Sequence, residues 1–156
     1  MTDLLLTHGY FLDEDAQERR VMRPYPPLGL LYLSSHLKSR GLPVAVFDST
    51  FRRYEDFLRL LHSATAIVGN SSVAIRECSY LGVPAVNIGS RQLGRERGQN
   101  VIDVDHDRKD ISDAVRTHIK RGKPKSDLLY GDGKAGGRIA DCLSKVELKI
   151  EKRLTY

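Results

Sequence analysis

The residues best suited to chemistry form the run Gly-Asn-Ser-Ser at positions 69–72, between a short apolar run and a helical pattern. A helix that begins here directs unpaired backbone N–H groups and the positive end of its dipole toward the loop, which favours an anion. Asn70 and the hydroxyls of Ser71 and Ser72 add polar groups, so the pattern is suited to a phosphate or a diphosphate. A serine that only caps the helix would give the same local sequence, and both interpretations stay open at this point.

Charged residues further along the chain extend this pattern. Glu77 lies on the same predicted helix, and its carboxylate could accept two hydrogen bonds from a ribose. It could equally be a solvated residue beside Arg76. Arg91, Arg95 and Arg97 follow in a polar loop, where they could neutralise a diphosphate or simply face water.

No complete catalytic set accompanies these residues. Asp48, Asp103 and Asp105 lie at the ends of apolar runs, and the sequence shows no partner for any of them. No Ser-His-Asp, Cys-His or metal-ligand spacing is present, so we expect no catalytic residue, no metal site and no cofactor. Cys78 and Cys142 lie at apolar helix positions, which predicts buried, reduced thiols.

Composition narrows the class of protein. At 156 residues, with 40% hydrophobic and 29% charged residues, the chain has the size and composition of one globular domain. It has no apolar run near the ~20 residues of a membrane span and no secretory leader pattern, so we expect a cytoplasmic protein with no membrane partner. The net charge of +5 arises within residues 53–156. Because no aromatic residues interleave with the basic ones, we expect no nucleic acid partner.

Short apolar runs alternate with helical patterns along the whole chain. The runs predict strands at Leu4–Thr7, Val44–Phe47, Ala66–Gly69, Ala85–Ile88 and Val101–Val104. The helical spacing predicts helices at Leu28–Arg40, Tyr54–His62, Ser72–Leu81, Lys109–Arg121 and Lys134–Leu148. Strict alternation indicates one α/β domain over residues 1–156, flavodoxin-like or Rossmann-like, with a five-stranded parallel sheet of order 2-1-3-4-5.

This strand order also predicts where a ligand would bind. The chain direction reverses between strands 1 and 3, and ligands of such sheets lie outside the carboxyl ends of the strands at that point. Thr7 ends strand 1 and is followed by His8 and Gly9, whereas residues 70–72 follow strand 3. We therefore expect both sets to line one pocket.

The first third of the chain has a family resemblance of its own. Residues 7–51 contain the runs Pro-Tyr-Pro-Pro-Leu-Gly at 24–29 and Phe-Asp-Ser-Thr-Phe at 47–51, and they resemble the opening of B12-binding radical SAM proteins. The resemblance implies a cobalamin-binding module as one function. The Cys-x-x-x-Cys-x-x-Cys and Asp-x-His-x-x-Gly motifs are absent, so we expect no tight cobalamin binding and an ordinary polar role for His8.

The remainder resembles a different family. The runs at 69–72, 76–77, 86–92 and 94–98, followed by residues 128–143, resemble the C-terminal part of hydrolysing UDP-N-acetylglucosamine 2-epimerases. The resemblance implies that Ser71, Ser72 and Glu77 hold the UDP portion of a ligand. Ala74 stands where these relatives often have Gly.

Together the two resemblances imply a chimera, natural or engineered, with residues 1–52 from one family and residues 53–156 from the other. The expected function is a nucleotide-sugar-binding domain that binds UDP or UDP-GlcNAc weakly through Asn70, Ser71, Ser72, Glu77, Arg91 and Arg95. We expect no turnover, because the epimerases take most acid/base carboxylates from a first domain that has no counterpart in this sequence. A sheet face exposed for that reason could support a homodimer.

Overall fold

A computed structural model describes residues 4–12, 16–21 and 26–147, apart from the side chain of Glu18. The strands are β1 (Leu4–Thr7), β2 (Val44–Phe47), β3 (Ile67–Gly69), β4 (Ala85–Ile88) and β5 (Val101–Val104). The helices are α1 (Ala16–Val21), α2 (Leu28–Ser39), α3 (Tyr54–Ser63), α4 (Glu77–Leu81), α5 (Arg108–Arg121) and α6 (Ala135–Leu143), with a short 3-10 helix at Ser72–Ala74. Within these ranges no helix is long and apolar enough to cross a bilayer.

All strand pairs are parallel, which confirms the α/β class and is consistent with a Rossmann-like fold. The strands form two sheets, however: β1 pairs with β2, and β3, β4 and β5 pair in that order. The predicted neighbours 2-1 and 3-4-5 are therefore present, but the predicted pairing of β1 with β3 is not. The two sheets meet through side chains rather than through a backbone ladder, so a single five-stranded sheet is not formed.

The side chains that join the two sheets are aromatic. The ring of Phe57 on α3 lies 5.4 Å from that of Phe11, which follows β1, and 6.4 Å from that of Phe47 on β2. Tyr54 on the same helix meets Phe11 edge to face at 5.3 Å. Phe57 also belongs to the buried cluster that contains Cys78. Edge-to-face and stacked ring contacts stabilise the fold beyond the burial of apolar surface. The packing of α3 therefore connects one sheet to the other.

Helix boundaries mostly agree with the periodicity, with two differences that bear on function. The predicted helix Ser72–Leu81 is divided into the 3-10 helix and the five-residue helix α4. The β-branched residues Val73 and Ile75 disfavour a continuous α-helix there, and Ser71 accepts the Val73 N–H at the start. Helix α1 was not predicted, because its six residues include only two apolar ones.

The last predicted helix, Lys134–Leu148, ends at Leu143, and Leu148 lies outside the described residues. Its apolar face does not pack on the domain, since Ile139 and Leu143 are 57% and 61% exposed. Cys142 on this helix is therefore exposed, which contradicts the prediction of a buried thiol. Cys78 is buried as predicted, and burial together with the charge of Glu77 raises its pKa to about 12.

Two glycines with left-handed backbones allow a matched test of the packing. At Gly41 (φ +78°) an added Cβ would have open space around it, whereas a Cβ at Gly82 (φ +64°) would lie 2.6 Å from the carbonyl oxygen of Pro124. Both positions disfavour an L side chain. They differ in the close approach of residue 124 to the end of α4.

We expect Gly41→Ala to lower the free energy of unfolding by about 1 kcal/mol, the usual strain of a left-handed residue. Gly82→Ala should lower it by at least about 2 kcal/mol more, because the backbone of residue 124 must also move. Urea denaturation of the two variants beside the wild type measures the difference. Equal losses would contradict the observed contact with Pro124.

Candidate functional site

The turn that follows β3 contains the serines singled out from the sequence. Ser71 Oγ accepts a hydrogen bond from the Val73 N–H at 3.4 Å, so this side chain caps the 3-10 helix. In the described parts of the chain, Ser72 Oγ and the backbone N–H groups of both serines have no hydrogen-bond partner. The capping interpretation therefore applies to Ser71, whereas the phosphate-binding interpretation stays a prediction for Ser72, which retains free donors.

The helix dipole contributes little to anion binding at this turn. A continuous ten-residue helix would direct its dipole at the turn, but α4 has only five residues and begins at Glu77. The dipole effect depends on several aligned peptide groups and falls off quickly from the helix end. Any anion here would be held mainly by hydroxyl and N–H donors.

Glu77 has a defined partner that the sequence did not indicate. The hydroxyl of Tyr54 on α3 donates a hydrogen bond to Glu77 Oε1 at 3.1 Å. The other oxygen, Oε2, is buried and accepts no hydrogen bond from the described residues. Burial, and then the negative charge of Glu77 and its hydrogen bond, raise the pKa of Tyr54 to about 12. The Glu77 carboxylate is therefore fixed by a hydrogen bond from Tyr54 and is not simply a solvated residue beside Arg76.

The arginine loop is attached to the turn by one side chain. Gln92, which is 3% exposed, donates from Nε2 to the carbonyl oxygen of Asn70 at 2.7 Å. Arg97 donates in turn to the carbonyl oxygen of Gln92 at 3.0 Å and from Nε to Asp103 Oδ2 at 3.0 Å. These bonds bring the loop beside the turn that contains Asn70, Ser71 and Ser72. Arg97 thus has a structural role, since its guanidinium forms an ion pair with Asp103.

Asp103 is the centre of this polar group. Asn87 Nδ2 donates to Asp103 Oδ1 at 2.6 Å from the neighbouring strand, where the two residues are register partners. Burial would raise the pKa of Asp103, but the hydrogen bonds from Arg97 and Asn87 outweigh it and lower that pKa below its ordinary value. The side-chain oxygens of Asn87 and Gln92 are buried and accept no hydrogen bond in the described ranges. The site therefore contains buried acceptors as well as donors.

Arg91 and Arg95 differ from Arg97. Both are exposed, and neither guanidinium has an ion pair or hydrogen bond with the described residues. Arg95 lines an open cavity of about 420 Å³ together with Arg76 and Tyr130, whose hydroxyl donates to the carbonyl oxygen of Glu96. These cations are available to an anion, although the cavity includes neither serine.

The residues after β1 have a separate arrangement. His8 Nε2 lies 2.9 Å from Asp48 Oδ1, so this carboxylate does have a partner. Burial would raise the pKa of Asp48, but hydrogen bonds from Thr50 and His8 outweigh it and lower that pKa below its ordinary value. Ser49 Oγ lies 3.5 Å from His8 Nδ1 but bonds the carbonyl oxygens of His8 and Tyr10 at 2.8 Å. Since Ser49 is fully buried, this grouping is structural rather than a nucleophile with its base.

Thr7, His8 and Gly9 line neither the cavity that contains Arg95 nor the cavity at the carboxyl ends of β4 and β5. Thr7 Oγ1 donates to the His8 carbonyl oxygen, and a Cβ at Gly9 would have open space. A cavity of about 500 Å³ lies instead at the carboxyl ends of β4 and β5, lined by residues that include Ser90, Asp105 and His106. Polar residues at the strand ends were the only sequence signal for this cavity. In the described ranges no group of three or more His, Cys, Asp and Glu could hold a metal ion.

Parallel strands that alternate with helices and carry polar loops at their carboxyl ends define an α/β protein of the Rossmann-like class. The family model of UDP-N-acetylglucosamine 2-epimerase matches residues 13–144. The chain therefore belongs to the UDP-N-acetylglucosamine 2-epimerase family. This match continues across residue 52, and the comparisons give no support for a join there or for a cobalamin-binding segment.

Individual relatives agree with the family. The chain is 41% identical over 81 residues to a UDP-N-acetylglucosamine 2-epimerase of Neisseria meningitidis, which covers 52% of this chain and 22% of that protein. It is 38% identical over 93 residues to a hydrolysing UDP-N,N'-diacetylbacillosamine 2-epimerase of Legionella pneumophila, which covers 60% and 25% respectively. The chain thus spans about a quarter or less of the length of these relatives.

The ion pair of Asp103 predicts a pH dependence of stability. Because the folded-state pKa of Asp103 lies below the unfolded value of about 3.9, the stabilisation is present above pH ~4 and is lost as the pH falls through the folded-state pKa. Its size is under about 1 kcal/mol, since the carboxylate is half exposed.

We therefore expect Asp103→Asn to lower the free energy of unfolding at pH 7, and this deficit to disappear as the pH falls through the folded-state pKa of Asp103, as measured by urea denaturation. Asp141→Asn is the control, because the Asp141 side chain has no hydrogen bond or ion pair with the described residues. A deficit of Asp103→Asn that stays constant with pH would contradict the assignment.

Proposed function

We propose that this chain binds a nucleoside-diphosphate sugar, UDP-GlcNAc or a close relative, at the turn after β3 and the loop beside it. The observation that carries the proposal is the hydrogen bond from Gln92 to the Asn70 carbonyl oxygen. It joins the turn with free serine donors to the loop with free arginines, two segments separated by about twenty residues of sequence. Family membership adds the class of ligand.

Each residue has a role in this proposal that follows from its surroundings. Ser72 and the N–H groups of the turn donate to the diphosphate, while Arg91 and Arg95 supply positive charge from the loop. Glu77, held by Tyr54, accepts hydrogen bonds from the ribose hydroxyls. Ser71 contributes through its backbone, since its hydroxyl oxygen is engaged as a cap.

We further propose that these 156 residues bind the ligand without turning it over. Epimerisation requires a group that removes and returns a proton at the epimerised carbon, and hydrolysis requires a group that activates water or protonates the leaving oxygen. The carboxylates near the proposed site have other roles: Asp103 is paired with Arg97, and Glu77 is held by Tyr54. Residues 1–52 serve in this proposal as part of the same domain, because Phe11 and Phe47 pack on α3.

The two serines give a direct test, because this proposal gives them different roles. Ser72→Ala should weaken UDP binding about tenfold with unchanged stability, since a donor to a charged group is lost. Ser71→Ala should lower the free energy of unfolding by roughly 0.5–1 kcal/mol, the usual range for a lost cap, with a smaller effect on affinity.

Titration of labelled protein with UDP, followed by amide chemical shifts, measures affinity and position together. Ser63→Ala serves as the control, because Ser63 lies at the exposed end of α3 and, among the described residues, its hydroxyl bonds only the Leu60 carbonyl oxygen. Shifts that avoid residues 69–77, or no shifts at millimolar UDP, would contradict the proposal.

Incubation with UDP-GlcNAc tests the second part. We expect no release of UDP above the uncatalysed rate, measured by chromatography of the nucleotide over a day at high protein concentration. Release of UDP that disappears in Ser72→Ala would show that the chain is an enzyme by itself. The same assay with Asp103→Asn distinguishes a role of that carboxylate in catalysis from its structural pairing.

A further inference from the structure

The hydrogen bond between Tyr54 and Glu77 joins the aromatic core to the proposed ligand site. Tyr54 lies on α3, with its ring 5.3 Å from that of Phe11 and 6.3 Å from that of Phe57. Its hydroxyl reaches Glu77 at the start of α4, 23 residues further along the chain. The ring is therefore fixed by packing, and the hydroxyl has a defined position at the carboxylate.

The carboxylate of Glu77 has unused hydrogen-bonding capacity. A carboxylate offers about four lone-pair positions, and Tyr54 occupies one of them on Oε1. Oε2 is buried and accepts no hydrogen bond in the described parts of the chain. A buried charged oxygen without a donor is unfavourable, so a ligand that provides hydroxyl donors would recover free energy there.

We propose that Tyr54 is a positioning residue that orients Glu77 toward the ribose hydroxyls and so makes the site selective for ribonucleotides over deoxyribonucleotides. This inference rests on the proposed function, because it assumes that UDP binds beside Glu77. The mechanism is preorganisation: a carboxylate already held in one orientation loses less freedom when the ribose binds.

The chemistry of the phenol supports a constant role. With its pKa raised to about 12, Tyr54 stays protonated at all ordinary pH values and remains a donor to Glu77. As a neutral phenol, it does not carry a charge that would repel a diphosphate. The ribose hydroxyls then meet the lone pairs that Tyr54 leaves free.

The test compares UDP with 2′-deoxy-UDP in four proteins. Wild type should bind UDP about tenfold more tightly than 2′-deoxy-UDP, and Glu77→Gln should reduce this ratio toward one. Tyr54→Phe keeps the ring and removes only the donor, so we expect it to reduce the ratio to about threefold. In the double variant with Glu77→Gln, the removal of the Tyr54 hydroxyl should change the ratio no further.

Tyr80→Phe is the matched control, since Tyr80 lies on α4 like Glu77 but is 56% exposed and has no hydrogen bond from its hydroxyl in the described ranges. It should keep the wild-type ratio. A Tyr54→Phe variant with the same ratio as wild type, while Glu77→Gln reduces it, would overturn this inference and leave the proposed function standing. Wild type that binds neither nucleotide would overturn the proposed function and this inference with it.

A second measurement uses the wild-type protein and does not depend on the folding of a variant. In protein labelled with ¹³C at the tyrosine ζ position, the Tyr54 signal should shift more on addition of UDP than of 2′-deoxy-UDP at equal saturation. Equal shifts from both nucleotides would contradict the positioning role. The Tyr80 signal in the same spectra provides the internal reference.

Discussion

The packing of aromatic rings around α3 is the interaction on which the other features of this protein depend. β1 and β2 form a sheet of two short strands, which is marginal by itself in water. Phe11 and Phe47 attach that sheet to Phe57, and Phe57 belongs to the same buried cluster as Cys78 and Val83 beside the second sheet. The same packing sets the position of Tyr54, and therefore the position of Glu77. Core and proposed site share one helix.

A second constraint acts on the loop of the proposed site, and it is polar. A continuous series of hydrogen bonds runs from β4 and β5 to the turn after β3. Its members, in order, are Asn87, Asp103, Arg97, Gln92 and Asn70. The loop at 89–100 has no strand or α-helix of its own, so these side-chain bonds help to hold it against the strand ends. Because most members are at least partly buried, each bond contributes more than it would on an open surface.

The elements of this fold could be predicted from the sequence better than their arrangement. Apolar runs correctly predicted the positions of β1, β2, β4 and β5, since strand formation follows local patterning. Whether β1 pairs with β3 depends on side chains distant in sequence, so local patterning did not predict that these two strands remain unpaired. The partners of Asp48 and Asp103 could have been found from register alone. Thr7 pairs with Phe47, which places His8 beside Asp48, and Asn87 pairs with Asp103. The Tyr54 to Glu77 bond depends on the packing of α3 and leaves no signal in the sequence.

The distribution of charge and burial indicates which part of a nucleotide would decide selectivity. Arg97 is already paired with Asp103, and the remaining loop arginines are exposed, where water and salt reduce the attraction of any phosphate. The five-residue helix α4 adds little dipole. The acceptors, in contrast, are buried: Glu77 Oε2 and the amide oxygens of Asn87 and Gln92 have no donor in the described ranges. Inorganic phosphate has few hydrogen-bond donors for these oxygens. The hydroxyl and N–H groups of a nucleoside and its sugar are the donors that these oxygens require. The proposed function therefore predicts that recognition depends on the nucleoside and the sugar more than on the diphosphate that joins them.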